Sequence, residues 1–315
     1  MVPSHYRDYT RVFSDEVASH LLQHQPWDHA IDLVPKAKAA WKAKIYPMSP
    51  NKQGELDKFL DEQLGKGYIK LSKSPLASPV FFIKKKDGKL RLIQDYQSLN
   101  TITIPNQTPL PLANDIINRL SGSNYFTKFD IWWGYNNICI HVGDEWKGAF
   151  ATHRGLFQPK VMFFGMTNSL ATFQSLMNSI FTDLITEGVV DIYLNDILIH
   201  TWTPTEHWKV IWEVLKHLEK FDLYLWPEKC EFKLQELEYL GLIIQLNEIA
   251  MDPGKVTAVA RWKQPETLKQ VQALLGFANF YRRLFPLSYT TETHPLTDLT
   301  RKNEPFVWGY IGSEP

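Results

Sequence analysis

Residues 189–200, VVDIYLNDILIH, predict two buried strands joined by a tight turn. The aliphatic residues on either side of the turn form runs that are too short for helices and are rich in β-branched side chains. Between them, Leu194-Asn195-Asp196 is polar enough to tolerate a turn. A hairpin of this kind would present Asn195 and Asp196 at its tip, where their oxygens could bind a metal ion. The alternative is an ordinary hairpin whose polar turn faces water.

A second acidic position lies upstream in YFTKFDIWWGYNN, residues 125–137. Phe126, Phe129 and Ile131 predict a buried strand, and Asp130 lies inside this apolar run. A carboxylate that is buried alone is unfavourable, so Asp130 needs a partner. That partner could be a metal ion, a backbone cap or a nearby lysine. Tyr135 follows a turn at Gly134.

Length and composition limit the class of protein. The chain has 315 residues, a formal net charge of +0 and two cysteines, which is enough for two or three subdomains around a real core. Cys139 and Cys230 have no metal-ligand spacing and suggest no disulfide framework, so an intracellular, reducing setting fits best. No apolar run approaches a membrane span, and the N-terminus does not resemble a signal peptide. Neutral net charge argues against indiscriminate coating of nucleic acid but allows a local basic groove.

The first half of the chain predicts an irregular segment, a helix and a charged hairpin. Prolines interrupt residues 1–50, and a helix begins at Ser49-Pro50 and ends at Gly67. Residues 80–83 and 90–93 predict strands that are joined through an Asp-Gly turn. Four lysines and Arg91 crowd this hairpin. The basic residues could form a phosphate clamp, or they could simply make a turn soluble.

Further helices and strands follow along the chain. Residues 109–120 predict a helix packed through Ile116, Ile117 and Leu120. Gly165 breaks an apolar strand, and Thr167 or Asn168 caps the next helix. Thr203-Pro204-Thr205-Glu206 is a typical helix start.

The last part of the chain predicts a strand pair and a helix pair. The strand pair lies in residues 228–244, EKCEFKLQELEYLGLII. One helix begins at Asp252-Pro253 and buries Val256, Val259 and Trp262; the other is capped by Thr267. A helix pair after a mixed region suggests a separate lobe.

Several stretches in order resemble the reverse transcriptases of gypsy-type long-terminal-repeat retrotransposons of the fungal kind. They cover nearly the whole chain, and together they are highly specific. The stretches are KKKDGKLRLIQDYQSLN, PLPL, FTKFDIWWGYNN, GDEWKGAF, VMFFGMTNSLATFQ, YLND, LYLWPEKCEF, EYLG and LLGFANFYRR.

The resemblance implies an α+β fold of the right-hand polymerase type, with fingers, palm and thumb. Residues 1–50 would form an N-terminal extension, 51–105 and 138–168 the fingers, 106–137 and 169–245 the palm, and 246–300 the thumb. Residues 301–315 would begin the tether to a missing ribonuclease H domain.

The resemblance also implies the chemistry. Two Mg²⁺ ions would promote DNA synthesis from dNTPs on an RNA or DNA template with a primer, and hard carboxylate oxygens such as those of Asp130 and Asp196 would bind them. Lys229 matches the lysine thought to protonate the leaving pyrophosphate. The remaining positions match a nucleotide-binding set, Lys85, Arg91, Tyr135, Phe164 and Gly165, and a primer grip, Leu240 and Gly241. For Tyr135 the alternative is a core tyrosine, and for Lys229 it is a solvated turn.

Asn195 departs from the family pattern at the most important position, because the family has an aspartate there that binds both metal ions. Asparagine keeps the shape and one carbonyl oxygen but loses the negative charge, and its NH₂ group presents donors where an acceptor is needed. Asp191 lies too far along its strand to replace it. Further departures, at Gln97, Gln107, Trp132 and Leu170, indicate a copy no longer required to polymerise. We therefore expect an impaired polymerase, or a catalytically inactive relic that still binds nucleic acid; a protein with no nucleic-acid role is the third hypothesis.

Overall fold

The computed structural model describes residues 3–14, 21, 23–38, 40–42, 44–84, 88, 90–120 and 122–301. The chain forms two compact units. The first unit comprises residues 1–119 and 125–234, and the second comprises residues 120–124 and 235–315.

The strands and helices follow one another in mixed order. The strands are β1 (Ile69–Leu71), β2 (Val80–Lys84), β3 (Leu90–Gln94), β4 (Tyr125–Asp130), β5 (Phe150–Thr152), β6 (Gly155–Pro159), β7 (Val190–Tyr193), β8 (Asp196–Thr201), β9 (Glu231–Leu234), β10 (Glu236–Tyr239), β11 (Leu242–Gln245) and β12 (Glu248–Met251). The helices are α1 (Pro50–Gly65), α2 (Gln97–Asn100), α3 (Ala113–Leu120), α4 (Ser169–Ile180), α5 (Thr182–Thr186), α6 (Pro204–Lys220), α7 (Pro253–Ala260), α8 (Leu268–Phe280) and α9 (Tyr289–Asp298). Short 3₁₀ segments include Ser4–Phe13, Gly134–Asn137 and Pro227–Lys229.

The first unit is built around an antiparallel sheet with strand order β7-β8-β4-β9. Helices α4 and α6 pack on it through the apolar side chains that their 3.6-residue periodicity predicts. The cap of α6 is also as predicted, because the Thr203 side chain accepts a hydrogen bond from the Glu206 backbone N–H. The register of β4 on β8 places Asp130 opposite Asp196.

A second core in the same unit lies under α1 and the sheet β1-β6-β5. Leu56 and Leu60 of α1 are buried there, and Gly67, at φ 73°, lies just beyond the helix end as predicted. Strands β2 and β3 form the predicted antiparallel pair, with Lys84 opposite Leu90.

Four expectations about local structure are wrong. Residues 1–50 are not merely irregular, since Ser4–Phe13 forms a 3₁₀ helix whose Tyr6, Tyr9 and Val12 join the main core. The apolar run before Gly165 forms a single bridge, Cys139 to Val161, and not a strand. Val161, Met162 and Phe163 are buried without forming a strand, and Phe164 is exposed, which an apolar run alone cannot reveal.

The other two concern pairing and burial. Strands β9 and β10 do not pair with each other, because β9 joins β4 while β10 joins β11. Helix α7 begins at the predicted cap, Asp252, but Val256 and Trp262 are 50% and 40% exposed. The amphipathic pattern located the helix but not the surface that would cover it.

The second unit contains the sheet β10-β11-β12 and helices α7 to α9. Helix α8 is capped by Thr267 as predicted and buries Val271 and Leu275. Among the described residues, none of the helices combines the length and the apolar character that crossing a membrane requires.

Candidate active site

The turn between β7 and β8 is a two-residue loop, Leu194-Asn195, since Tyr193 pairs with Asp196. Asp196 is therefore the first residue of β8. The sequence had suggested that Asp196 belongs to the turn, and this expectation is wrong. Leu194 adopts φ 54°, a left-handed conformation that is unusual for a residue other than glycine. This strained backbone needs support from its surroundings.

Gln174 on α4 supplies that support. Its side chain is fully buried; its Nε2 donates to the Ile192 carbonyl at 3.1 Å, and its Oε1 accepts from the Leu194 N–H at 2.8 Å. Both bonds reach backbone groups at the end of β7 and in the turn. Gln174 therefore holds the hairpin tip in one conformation.

Asp130 and Asp196 end adjacent strands directly opposite each other. Each carboxylate has a lysine nearby: Lys229 Nζ lies 3.4 Å from Asp130 Oδ2, and Lys128 Nζ lies 4.0 Å from Asp196 Oδ1. Burial raises the pKa of Asp196, the Asp130 charge raises it further, and Lys128 opposes the shift. Two carboxylates that repel each other this way form a site that favours cations.

Asn195 lies beside this pair. Its backbone carbonyl accepts a hydrogen bond from the Ile131 N–H at 2.9 Å, which ties the turn to the residue after Asp130. In the part of the chain that the structure describes, Oδ1 of Asn195 is buried and has no hydrogen-bond partner. A Cβ atom on Gly134 would lie 2.8 Å from that oxygen. Glycine is therefore needed at position 134, because any side chain would collide with Asn195.

Lys229 contacts an aromatic ring as well as Asp130. Its ammonium lies 4.4 Å from the Trp226 ring centroid, a cation–π contact. Trp226 in turn stacks on Trp132, with centroids 4.9 Å apart. Asp130, Asn195, Asp196 and Lys229 thus lie close together in the structure.

Arg91, Phe164 and Tyr135 form a second part of the site. The Arg91 guanidinium lies 4.5 Å from the Phe164 ring centroid, and Tyr135 meets Phe164 edge to face at 4.7 Å. Burial raises the pKa of Tyr135 to about 12. Tyr135 also belongs to the main core, as its alternative interpretation as a core tyrosine expects.

Gly165 adopts φ 98°, which favours glycine, and its carbonyl accepts a hydrogen bond from Asn100. Lys85 lies outside the described residues. Leu240 and Gly241 belong to the second unit, where they form the two-residue turn between β10 and β11, at φ 52° and 78°.

Asp191 is engaged elsewhere, as expected for a residue that cannot replace the missing aspartate. Its side chain is 4% exposed; its Oδ1 accepts bonds from Arg119 Nε at 2.8 Å and Nη2 at 2.5 Å. His200 Nε2 lies 3.2 Å from its other oxygen. Burial alone would raise the pKa of Asp191, but His200 and Arg119 outweigh burial and hold it below the usual value.

Sequence reasoning missed Gln174, Lys128 and the Arg119–Asp191 pair. A signal existed for Gln174, because it lies next to Phe173 on a helix face that the pattern predicts to be buried, where an amide must find partners. No local signal existed for Lys128 or Arg119, since their partners come from other strands.

The sequence profile of the family described as "Reverse transcriptase (RNA-dependent DNA polymerase)" matches residues 83–244. The chain belongs to this family. The match includes every predicted site residue, from Lys85 to Gly241. Among curated relatives, this reverse-transcriptase chain is 35% identical to the transposon Tf2-3 and Tf2-4 polyproteins of Schizosaccharomyces pombe, over 263 residues. That alignment covers 84% of this chain and 20% of each relative, so the chain spans about a fifth of their length.

Solved structures show the same fold. The foamy viral protease-reverse transcriptase in complex with RNA/DNA hybrid matches with a TM-score of 0.79 and 20% identity, over 97% of this chain and 41% of that chain. The same enzyme in complex with dsDNA matches with a TM-score of 0.82 and 21% identity, over 96% and 63%. The predicted mixed α and β polymerase fold and the predicted family are therefore confirmed.

Proposed function

We propose that this domain is built for template-directed DNA synthesis from a primer and dNTPs by two-metal nucleotidyl transfer, and that Asn195 severely reduces its rate. The observation that carries the proposal is the register of β4 on β8, which sets Asp130 and Asp196 side by side. The relatives, which are transposon polyproteins, support an origin in a transposable element, and the motifs quoted above make a gypsy-type element our proposal. The fingers, palm and thumb assignments given above belong to the same proposal.

The donor set fits magnesium. Mg²⁺ prefers hard oxygens and is usually held by one or two carboxylates together with substrate phosphates. Asp130 and Asp196 supply two such carboxylates, 21% and 26% exposed, so an ion could reach both. When bound, magnesium would activate the attacking oxygen and stabilise the leaving one.

The other residues of the site would act on the substrate. Arg91, held against Phe164, presents guanidinium donors to a triphosphate. Tyr135, packed on the same ring, would face the sugar and discriminate against a 2′-hydroxyl. Lys229 lies close to Asp130 and would donate a proton to the leaving pyrophosphate.

Asn195 changes the balance of charge in this site. With an aspartate at this position, three carboxylates would face the cations and the triphosphate; with asparagine there are two. Removing one key electrostatic group from a preorganised site slows the reaction by about 10²–10³-fold. Asp191 cannot compensate, because its charge is already paired with Arg119.

The test is primer extension on an RNA template with Mg²⁺, comparing the chain with Asn195→Asp and with the double variant Asn195→Asp/Asp130→Asn. We expect Asn195→Asp to extend the primer at least ~100-fold faster than the unsubstituted chain, and the double variant to lose that gain. Equal extension by the chain and by Asn195→Asp would refute the role of Asn195. Absence of extension by both would refute the polymerase proposal.

A second candidate function is favoured by the same asparagine: a catalytically inactive domain that still binds a primer–template duplex. The solved neighbours include complexes with RNA/DNA hybrid and with dsDNA. Binding through phosphates gives a logarithm of affinity that falls linearly with the logarithm of salt concentration. If the chain shows this slope but does not extend primers, it is a catalytically inactive nucleic-acid-binding domain. If its binding does not depend on salt, it has no nucleic-acid role.

A further inference from the structure

Outside the candidate active site, one further set of metal-ligating side chains converges in the first unit. The imidazole of His24, the carboxylate of Asp28 and the thiol of Cys139 each offer one ligand atom, and these atoms lie within 4.8 Å of one another. In the described ranges, no other set of three histidine, cysteine, aspartate or glutamate side chains meets this closely.

A turn brings the first two ligands together. The Asp28 N–H donates to the Gln25 carbonyl at 3.0 Å, and Pro26 occupies the second position, which proline favours. The Gln25 N–H donates to Asp28 Oδ1 at 3.1 Å, which fixes the carboxylate and leaves Oδ2 in contact with His24 Nδ1. Chain pairing supplies the third ligand, because the His29 N–H donates to the Cys139 carbonyl at 2.8 Å.

Burial and access both suit a bound ion. The Asp28 side chain is 5% exposed and Cys139 is 3% exposed, whereas the His24 side chain is 44% exposed. In the structure the Asp28 carboxylate pairs with the Gln25 N–H and with His24, and a bound ion would replace the His24 contact. A cavity of about 550 Å³ is lined by Asp28, Cys139 and the polar side chains of Gln23, Gln25 and Asn137. This cavity gives an ion a way in and gives water a place beside it.

We propose that His24, Asp28 and Cys139 bind a divalent transition-metal ion of the zinc class, with the cavity side open to a water molecule. One nitrogen, one oxygen and one sulfur ligand with a fourth open position is a set that zinc accepts, and a thiolate is a poor ligand for magnesium. The ion would join the turn at residues 25–28 to the segment around Cys139. This inference does not depend on polymerase activity.

The probe is Zn²⁺ itself, titrated into the full chain against a chromophoric chelator in excess Mg²⁺. We expect one equivalent of Zn²⁺ per chain. In His24→Gln, the affinity should fall by on the order of tenfold to a hundredfold or more, because a ligand is lost. With Co²⁺ in place of Zn²⁺, a thiolate-to-metal charge-transfer absorption should appear in the chain and be absent from Cys139→Ser.

Two matched variants make the test specific. Cys230→Ser removes the other cysteine and should keep the absorption. His294→Gln removes a histidine that pairs, with the same i,i+4 spacing, with Asp298 through Nδ1 at 3.1 Å, and should keep the affinity. Asp130→Asn should also bind Zn²⁺ normally, which separates this site from the proposed magnesium site.

The proposal is overturned if the chain binds no stoichiometric Zn²⁺, or if His24→Gln binds it as tightly as the chain does. Cys139 is buried, so Cys139→Ser could fail to fold. His24 is largely at the surface, and its variant then decides the question alone.

Discussion

His207 should make the protein lose stability as the pH falls from about 6.5 to about 4. The ring is 1% exposed and lies between two hydroxyls, with Nε2 2.9 Å from Thr127 Oγ1 and Nδ1 2.9 Å from Thr201 Oγ1. Burial, with a smaller contribution from the charge of Lys233, lowers its pKa from 6.5 to about 4. Below pH 6.5 the unfolded chain therefore binds a proton that the folded chain does not, and the free energy of unfolding falls until the folded pKa is reached.

The size of the effect follows from the shift. The pKa of His207 falls from 6.5 to about 4 on folding, and each pKa unit corresponds to about 1.36 kcal/mol. This one histidine therefore removes about 3 kcal/mol from the free energy of unfolding at low pH. His29, also buried and with its pKa lowered to about 4 by burial, should contribute a similar amount over the same range. Together they make the fold acid-sensitive in a range where most carboxylates are still ionised.

The assay is urea denaturation at pH 7 and at pH 4, on the chain, on His207→Gln, on His29→Gln and on the double variant. Glutamine can hydrogen bond but does not titrate. We expect each single variant to show about 3 kcal/mol less pH dependence than the chain, and the double variant about 6 kcal/mol less. If His207→Gln loses stability between these two pH values as steeply as the chain does, the reasoning about this histidine is refuted.

Two further predictions concern the sheet and the hairpin tip. Gly134→Ala should destabilise the fold by ~1–3 kcal/mol, because the new Cβ would lie 2.8 Å from Asn195 Oδ1 and 2.9 Å from Phe173 Cζ. Gly54→Ala, in a helix where a Cβ meets nothing within 4 Å, should instead stabilise it by ~0.5–1 kcal/mol, and chemical denaturation that shows the same sign for both would contradict the packing argument. Arg119→Met should lower the free energy of unfolding by about 2–3 kcal/mol, because Asp191 would keep only His200 as a charged partner. The expected loss is smaller than for a fully buried ion pair, because the Arg119 side chain is half exposed. Denaturation curves that coincide for Arg119→Met and the unsubstituted chain would show that the pair does not stabilise the fold.

Much of the candidate site could be predicted from the sequence because the signals are local. Short apolar runs located β4, β7 and β8, and proline, threonine and aspartate marked the beginnings of α1, α6, α7 and α8. Asn195 could be recognised as a departure from the family pattern without any coordinates. Its significance rests on charge, which the residue type alone determines.

The errors and omissions share one cause, which is that strand partners and burial depend on residues far away in sequence. Strands β9 and β10 are adjacent in the chain yet belong to different sheets. The amphipathic pattern of α7 could not show that Val256 would remain half exposed. The sequence spacing of Cys139 gave no reason to connect it with His24 and Asp28, which chain pairing brings beside it.

The sequence by itself determined the family, the order of the elements and the residue types at the site. These follow from local periodicity, caps and quoted motifs. Only the tertiary structure decided that Asp130 faces Asp196, that Gln174 holds the strained turn at Leu194, and that Arg119 neutralises Asp191. The physical reason is that these contacts join separate strands and helices, and their geometry arises when the sheet pairs and the helices pack on it.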